Sequence, residues 1–527
     1  MKKMMLYFWG ILLVCASCSD FLEPRSNTQF IPEDVSALRE LMIAEVYTLN
    51  IAMAGPLVLL DDDVDGGEFI EGRTSAVEGP LAAFSWQPDM FEIFGAAGMS
   101  DQWFALWRDG YSRILGCNAV LDYVDDVNGL EETRNELKAQ AFTMRAFNYL
   151  YIVNIFGAPY SYDKKALGVP LKLNSNIEES LMSRNTVEEC YARIEKDLLE
   201  AERLYFTIPV EKRWRPDYKA SLPMAQLLLS RVYLEMENWE QAHKYAEKVI
   251  SDYAFRLKDL NEFVPTEDVP YYDFCNVNCP EQIFSYSQNG CLTVFPREGI
   301  PKNRWNYVAS HGLLKCYSES DLRKDNYIID EPGCKKEAPE GMPWDTLVRR
   351  PVGKYGVNSN RSVIESAQSV LSLRVAEAYL NSMEAAAFLY KAGDAQMQTK
   401  AMERLEDLRY MRYRRKDYRK LSVFSDAEAL ITYIREERRR ELCGVHIDAV
   451  QRRRELCFEG HRWNDLRRYG MPEIKHRWNL DGNQWVEYTL KEKDPAYTLP
   501  IPESTRTRTP SLVQNPLAPK REGVAVR

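Results

Sequence analysis

Apolar residues return at three- and four-residue intervals through much of this chain, the spacing of one face of an α-helix. Val35, Leu38, Leu41, Met42 and Val46 predict a helix within 33–50. Behind Ser100, a candidate N-cap, Trp103, Trp107, Tyr111, Ile114, Asn118 and Leu121 predict a second. A third starts near Glu131, turns Phe142, Ala146, Tyr149, Leu150 and Val153 inward, and stops at Gly157 and Pro159. Val187, Tyr191, Ile194, Leu198 and Ala201 give a fourth over 186–204. Residues 221–255 read as two helices joined near Glu237-Asn238-Trp239. Small Ala225, Ala242 and Ala246 let them approach closely, the packing logic of tetratricopeptide repeats. Residues 366–389 and 394–411 form another such pair around Lys391-Ala392-Gly393.

Two stretches break the pattern. Leu60-Asp61-Asp62-Asp63-Val64-Asp65-Gly66-Gly67 is acidic and glycine-rich, and 68–99 carries aromatics without period, so this part reads as a long ordered loop. The aspartates at 61–65 could offer calcium its oxygen ligands, but they lack the spacing of an EF-hand loop. Solvated acids, with no metal, are the expectation. Residues 261–361 are irregular and rich in Tyr, Asn, Pro and Gly. They are too long for a connector, and inserts of that kind carry function. The fold class is therefore mostly α: tetratricopeptide-like helical pairs in a single domain, with long irregular loops at about 60–99 and 261–361.

Composition adds bounds. The chain has 527 residues, 45% hydrophobic, and a mean hydropathy of −0.42, which excludes a polytopic membrane protein. Lys2 and Lys3 precede an apolar run from Met4 to Val14 that is too short to span a bilayer. It ends in Cys15-Ala16-Ser17-Cys18. Small residues before a cysteine resemble the lipobox of bacterial lipoproteins. The reading is a signal peptide over 1–17, acylated Cys18, a flexible tether over 18–30, and a folded domain over 31–527. A formal charge of −10 disfavours nucleic acid or anionic lipid as the main partner, and acyl chains would hold the protein to the membrane.

Two arginine-rich segments test that exclusion. Residues 409–420, RYMRYRRKDYRK, hold seven basic residues against one acid and read as a charged surface or lipid-proximal loop. Residues 434–470 hold ten arginines and seven acids, with the near-repeats ERRRELC at 437–443 and QRRRELC at 451–457. Arginines spaced three and four residues from glutamates satisfy each other along a helix, so this segment reads as an ion-paired structural element. Of eleven cysteines, nine remain beyond Cys15 and Cys18, and an odd number cannot all pair within one chain. Cys275, Cys279 and Cys291 share one loop-like region. With no histidine nearer than His311, a zinc site is disfavoured there, leaving a disulfide or buried free thiols.

Taken in order, these segments resemble the SusD/RagB outer-membrane lipoproteins of Bacteroidetes-type bacteria. The resemblance covers the lipobox followed by SCSDFLE, the W-x3-W-x3-Y-x2-I-x3-N helix from Trp103, AQAFTMRAFNYLYIVNIFGAPY, and RNTVEECYARIEKDLLEA. It continues through the hairpin at 221–255, LRVAEAYLNSMEAAA at 373–387, RRRELCFEGHRWNDLRRYG, and the terminal LPIP and QNP. The resemblance implies a helical domain packing a loop-rich ligand lobe, lipid-anchored on the outer leaflet. It also implies a SusC-like, TonB-dependent barrel as partner, and work that is binding and delivery of oligosaccharides or, in some relatives, peptides. The family pattern runs one ERRREL into FEG. Here the reading assigns 451–457 to the family position and the extra copy to an upstream insert.

Sugars offer C–H faces to aromatic rings and hydroxyls to amides and charged groups. The candidate ligand residues are therefore Trp86, Trp305 and Tyr307 as stacking platforms, with Arg73 and Asn306 as polar partners. Phe91 and Phe94 lie in the same loop region as Trp86, and the bland reading is that such aromatics cover the core. No cofactor is implied. An enzyme, such as a helical glycoside hydrolase, would need two carboxylates set across the bond. No such pairing, phosphate loop, nucleophile elbow or histidine metal spacing can be read from the chain, so no catalytic residue is assigned.

Overall fold

The computed structural model describes residues 32–47, 56–67, 78–97, 105–176, 182–214, 219–262, 279–287, 307–327, 329–330, 349–350, 371–443 and 460–526. Helix α1, Val35–Leu41, is capped by Asp34, whose carboxylate accepts from the Ala37 N–H at 2.9 Å. Two short helices, α2 (Glu78–Phe84) and α3 (Met90–Ala96), stand where the sequence predicted loop. Both bury their apolar side chains, but each is too short to display a helical period. The long helices are α4 (Ala105–Tyr123), α5 (Glu131–Phe156), α6 (Val187–Tyr205), α7 (Leu222–Glu235) and α8 (Trp239–Ser251). They continue with α9 (Val375–Lys391), α10 (Ala395–Arg412), α11 (Ala427–Leu442) and α12 (His461–Arg468). Four of them start on side-chain caps: Thr186 and Glu189 form a capping box on α6, and Asn238, Asp394 and Asp426 cap α8, α10 and α11.

Helices α4 to α10 form a run in which each packs on the next, and α11 adds to α9. The hairpins predicted at α7–α8 and α9–α10 are present, and the chain is mostly helical with tetratricopeptide-like architecture. The pattern assigned 366–374 to helix, but Leu371–Arg374 is a strand that precedes α9. Between α4 and α5 the approach is so close that a Cβ at Gly110 would come within 2.5 Å of Ile152. The arginine centred on α5 is a three-helix tie. Arg145 donates from Nε and Nη2 to the two oxygens of Asp197 on α6, at 2.8 and 2.9 Å, and from Nη1 to Asn118 on α4 at 2.8 Å.

The described parts of the arginine-rich segment, 434–443 and 460–470, are likewise structural. Within α11, Arg440 pairs with Glu437 at 2.7 Å, as the three-residue spacing predicted. Most other partners lie on other elements. Glu441 accepts from Arg412 at 2.9 and 3.0 Å, from Arg374 at 3.1 Å and from Arg323 at 3.2 Å. Glu437 pairs with Arg323, Arg374 and Arg412 share Glu281, and Arg323 is held by Asp321. All eight groups are buried. Arg438 donates to Asp465, and Arg468 to both oxygens of Glu384. One reading changes: Arg409 and Arg412 of the basic run are buried instead of lying on a charged surface. The 437–442 copy is built into α11, and 451–457, to which the sequence reading gave the family position, lies outside the described residues.

Strands β1 (Val64–Gly66) and β3 (Tyr307–Ala309) form one ladder, and β2 (Gln282–Ser287) and β4 (Leu371–Arg374) another. Near the C-terminus, β5 (Ile474–Asn479), β6 (Trp485–Leu490) and β7 (Val524–Val526) make a sheet with β6 in the middle. Strand β5 turns Ile474, His476 and Trp478 inward, the period-two pattern of a half-buried strand. Cys279 is a free buried thiol whose pKa burial pushes up to about 12; Cys275 and Cys291 lie outside the described residues.

Candidate functional site

The β1–β3 ladder is antiparallel, with Val64 opposite Ala309 and Gly66 opposite Tyr307. The chain leaving β1 and the chain entering β3 therefore meet at one end of the ladder. The first leads toward Arg73; the second comes from Trp305 and Asn306. These three candidates lie outside the described residues. Their points of attachment are defined by described ones, which place the roots of both segments side by side.

The ladder is seated on β5. A Cβ at Gly66 would lie 2.3 Å from the Arg477 carbonyl oxygen and 3.1 Å from the Trp478 Cα, so only glycine permits this approach. Asp65 fixes the register by accepting from the Arg477 N–H at 2.8 Å. Ser310, just past β3, donates from its hydroxyl to the Asp62 carbonyl at 2.6 Å and from its N–H to the Asp63 carbonyl at 2.8 Å.

Trp86 and Tyr307 are not exposed platforms. Each has 0% of its surface accessible, and Phe91 and Phe94 are buried with them. Trp86 donates its indole N–H to the Leu60 carbonyl at 2.9 Å and stacks on the His476 ring at 4.2 Å. His476 stacks on Phe84, also at 4.2 Å, and Tyr307 meets Phe84 edge-on at 5.0 Å and Trp478 at 5.1 Å. The two residues do converge, but as the floor under the ladder. An aromatic in an aperiodic stretch carries no local signal of which side it faces, and here the covering role prevails.

The aspartates at 61–63 are not solvated either. Asp61 and Asp63 are buried. Arg462 donates to both oxygens of Asp62, at 2.6 and 2.8 Å, and Arg439 donates from Nε to Asp63 at 2.6 Å. Burial works against the Asp62 charge, yet Arg439 and Arg462 hold its pKa at about 2. Asp61 is pushed the other way, well above the usual carboxylate range, by burial and by Asp63 and Asp62. The three carboxylates lie within 4.8 Å of one another, the spacing a cation could bridge. Two guanidinium groups already occupy that role, so the donor set suits arginine better than calcium.

Sequence reasoning missed Arg439, Arg462 and His476 as parts of this region. It gave His476 no role, and the Asp63–Arg439 and Asp62–Arg462 contacts span 376 and 400 residues. No local motif signals such a pair.

Residues 78–234 match a SusD-like family model described as starch-binding associating with outer membrane, and 447–517 match the SusD family model. The second match takes in the 451–457 copy, whereas the buried α11 is built from 437–443. The SusD-like protein P2 of Formosa agariphila is 24% identical, over 98% of this chain and 99% of that protein. A SusD superfamily structure from Bacteroides thetaiotaomicron has a TM-score of 0.65 at 20% identity, covering 92% of this chain and 98% of that one. A SusD-like carbohydrate binding protein from Bacteroides vulgatus gives 0.61 at 19%, covering 91% and 98%. At these identities the structural likeness establishes the fold, which is that of the SusD superfamily.

Proposed function

We propose that this chain, which belongs to the SusD/RagB family, binds oligosaccharides at the outer-membrane surface and delivers them to a SusC-like, TonB-dependent transporter. One observation carries the ligand site: the β1–β3 ladder roots the segments bearing Arg73, Trp305 and Asn306 at adjacent points over a packed aromatic floor. A glycan needs an aromatic face beside hydrogen-bonding side chains, and these segments supply both residue types. The starch- and carbohydrate-binding descriptions of the matched family and of the Bacteroides vulgatus protein support that ligand class. The folded domain is proposed to span 31–527, with ligand-lobe inserts at about 60–99 and 261–361.

The work proposed is binding without cleavage. The buried acids Glu281, Glu437 and Glu441 are each engaged by arginines, an arrangement that suits neither a general acid nor a nucleophile. Among the described residues no helix is long and apolar enough to cross a membrane. The attachment proposed is acyl chains on Cys18.

A glycan and peptide array on the protein from Ser19 onward identifies the ligand, and calorimetry on Trp305→Ala tests the site. The expected outcome is glycan binding weakened about tenfold, the scale of one lost stacking contact, without loss of folding. Unchanged affinity removes Trp305 from the site. Binding only to peptides moves the protein to the peptide-handling branch of the family, and shortened glycans recovered from the array restore the hydrolase alternative.

A further inference from the structure

His476 is a buried histidine with a carbonyl oxygen at each ring nitrogen. Nδ1 lies 2.7 Å from the Phe84 oxygen and Nε2 lies 2.8 Å from the Asp61 oxygen. Backbone carbonyls only accept, and a neutral imidazole donates from one nitrogen alone. Either neutral tautomer would leave a ring lone pair facing a carbonyl lone pair in a dry site. Only the doubly protonated ring satisfies both contacts.

The local charges point the same way. Facing the ring from the β1 side are Asp61, Asp62, Asp63 and Asp65. Asp62 is paired with Arg462 from α12, Asp63 with Arg439 from α11, and Asp65 with Arg477 of β5. On β6, Tyr488 stands opposite His476 in register, and Glu487 pairs with Lys475 at 3.0 Å. Beside Trp86, Arg521 pairs with Asp494 at 2.5 Å. Of these carboxylates, Asp65 and Asp62 favour a charged His476 ring. The Phe84 and Trp86 rings stack on the two faces of the imidazole, the cation–π arrangement that favours a charged ring. Burial is the largest influence on the His476 pKa and on balance lowers it, against the two carbonyls, Asp65 and Asp62. Hydrogen-bond geometry decides between them, because desolvating a neutral ring here does not remove the clash of acceptors.

We propose that His476 is held as an imidazolium that staples Asp61 to Phe84, and so closes the base of the 62–83 stretch that carries Arg73 and strand β1. Its importance for ligand binding rests on the proposed location of the glycan site; the staple itself does not. Loss of one ring proton at alkaline pH breaks one of the two bonds and loosens that base.

The test is nitrogen NMR on the full chain labelled with 15N-histidine, His476 being assigned by its proximity to the Phe84 and Trp86 ring protons. Both ring nitrogens are expected to carry protons at about pH 8, where an ordinary histidine is neutral. A bare ring nitrogen on His476 at about pH 7 overturns the proposal. A second readout is thermal unfolding against pH. A histidine whose folded pKa exceeds its unfolded value gives stability that is present below about pH 6.5 and lost as pH rises through the folded pKa. His476→Gln should remove that alkaline loss, and a slope identical to that of the parent chain counts against the staple. Neither readout uses a ligand, so the glycan reading and this one can fail separately.

Discussion

Single side chains show how closely this fold manages buried charge. Glu384 and Glu437 have their pKa values held at about 2, against the effect of burial, by Arg468 and Arg323 respectively. Glu235 is the contrasting case, since burial pushes its pKa up to about 7 and Asp465 adds to the effect, while Arg468 and Arg467 oppose it. A carboxylate raised in the folded state favours folding only while protonated. Its contribution is intact below about pH 4.5 and is lost as pH rises from there through about 7. Part of the Glu235 side chain meets solvent, so the loss is less than the roughly 3 kcal/mol that the whole shift implies. Glu235→Gln cannot ionise, and denaturant titrations should find it more stable than the parent chain by about 2 kcal/mol at pH 8 and no different at pH 4. Equal stabilities at pH 8 would show that this carboxylate is not held out of water. The same scale explains why Trp86 and Tyr307 were misassigned from sequence: their residue type suits both a sugar platform and a core plug, and the deciding partners, Leu60, Phe84 and His476, lie in other segments.

Among elements, the amphipathic ones were legible and the short ones were not. The predicted faces of α5, α6 and the α7–α8 hairpin match their buried residues, because many side chains vote for one period. Strands β1 and β3 are three residues each, too short to show alternation, and their pairing joins residues more than 240 positions apart. Of the duplicated motif, 437–442 builds the end of α11, while 451–457 lies outside the described residues and within the segment matched to the SusD family. Fourteen residues separate the copies, so Leu430 and Ile434, buried in α11, correspond to Gly444 and Asp448 ahead of the second copy. A helix leading into 451–457 would put glycine and a carboxylate where α11 has two core side chains. Glu441→Ala removes a carboxylate that buried Arg323, Arg374 and Arg412 share, and should cost about 3 to 5 kcal/mol of unfolding free energy. Glu455→Ala, at the matching position of the second copy, should change stability by no more than about 0.5 kcal/mol. Chemical denaturation of the two variants checks this, and a reversed order would return the core position to the second copy.

At the scale of the whole molecule, helical pairs and a cluster of loop roots share one apolar core. The tetratricopeptide-like half was written in the sequence as periodicity. The proposed ligand lobe was written only as the absence of periodicity, which carries no signal of its surfaces. The proposed lipid anchor at Cys18 makes a separate claim about place. Cys18→Ser should abolish fatty-acid labelling and move the protein from the membrane pellet to the soluble fraction; a variant still acylated and pelleting would defeat the lipid anchor.

The buried charge network also sets an order on folding. Among the described residues outside α11, the carboxylates that pair with Arg323, Arg374 and Arg412 are Glu281 and Asp321, and an unbalanced cation is costly to seal away from water. Glu437, Arg440 and Glu441 arrive together near the end of the chain and bring the sum to zero. A nascent chain lacking its last hundred residues therefore has reason to stay open.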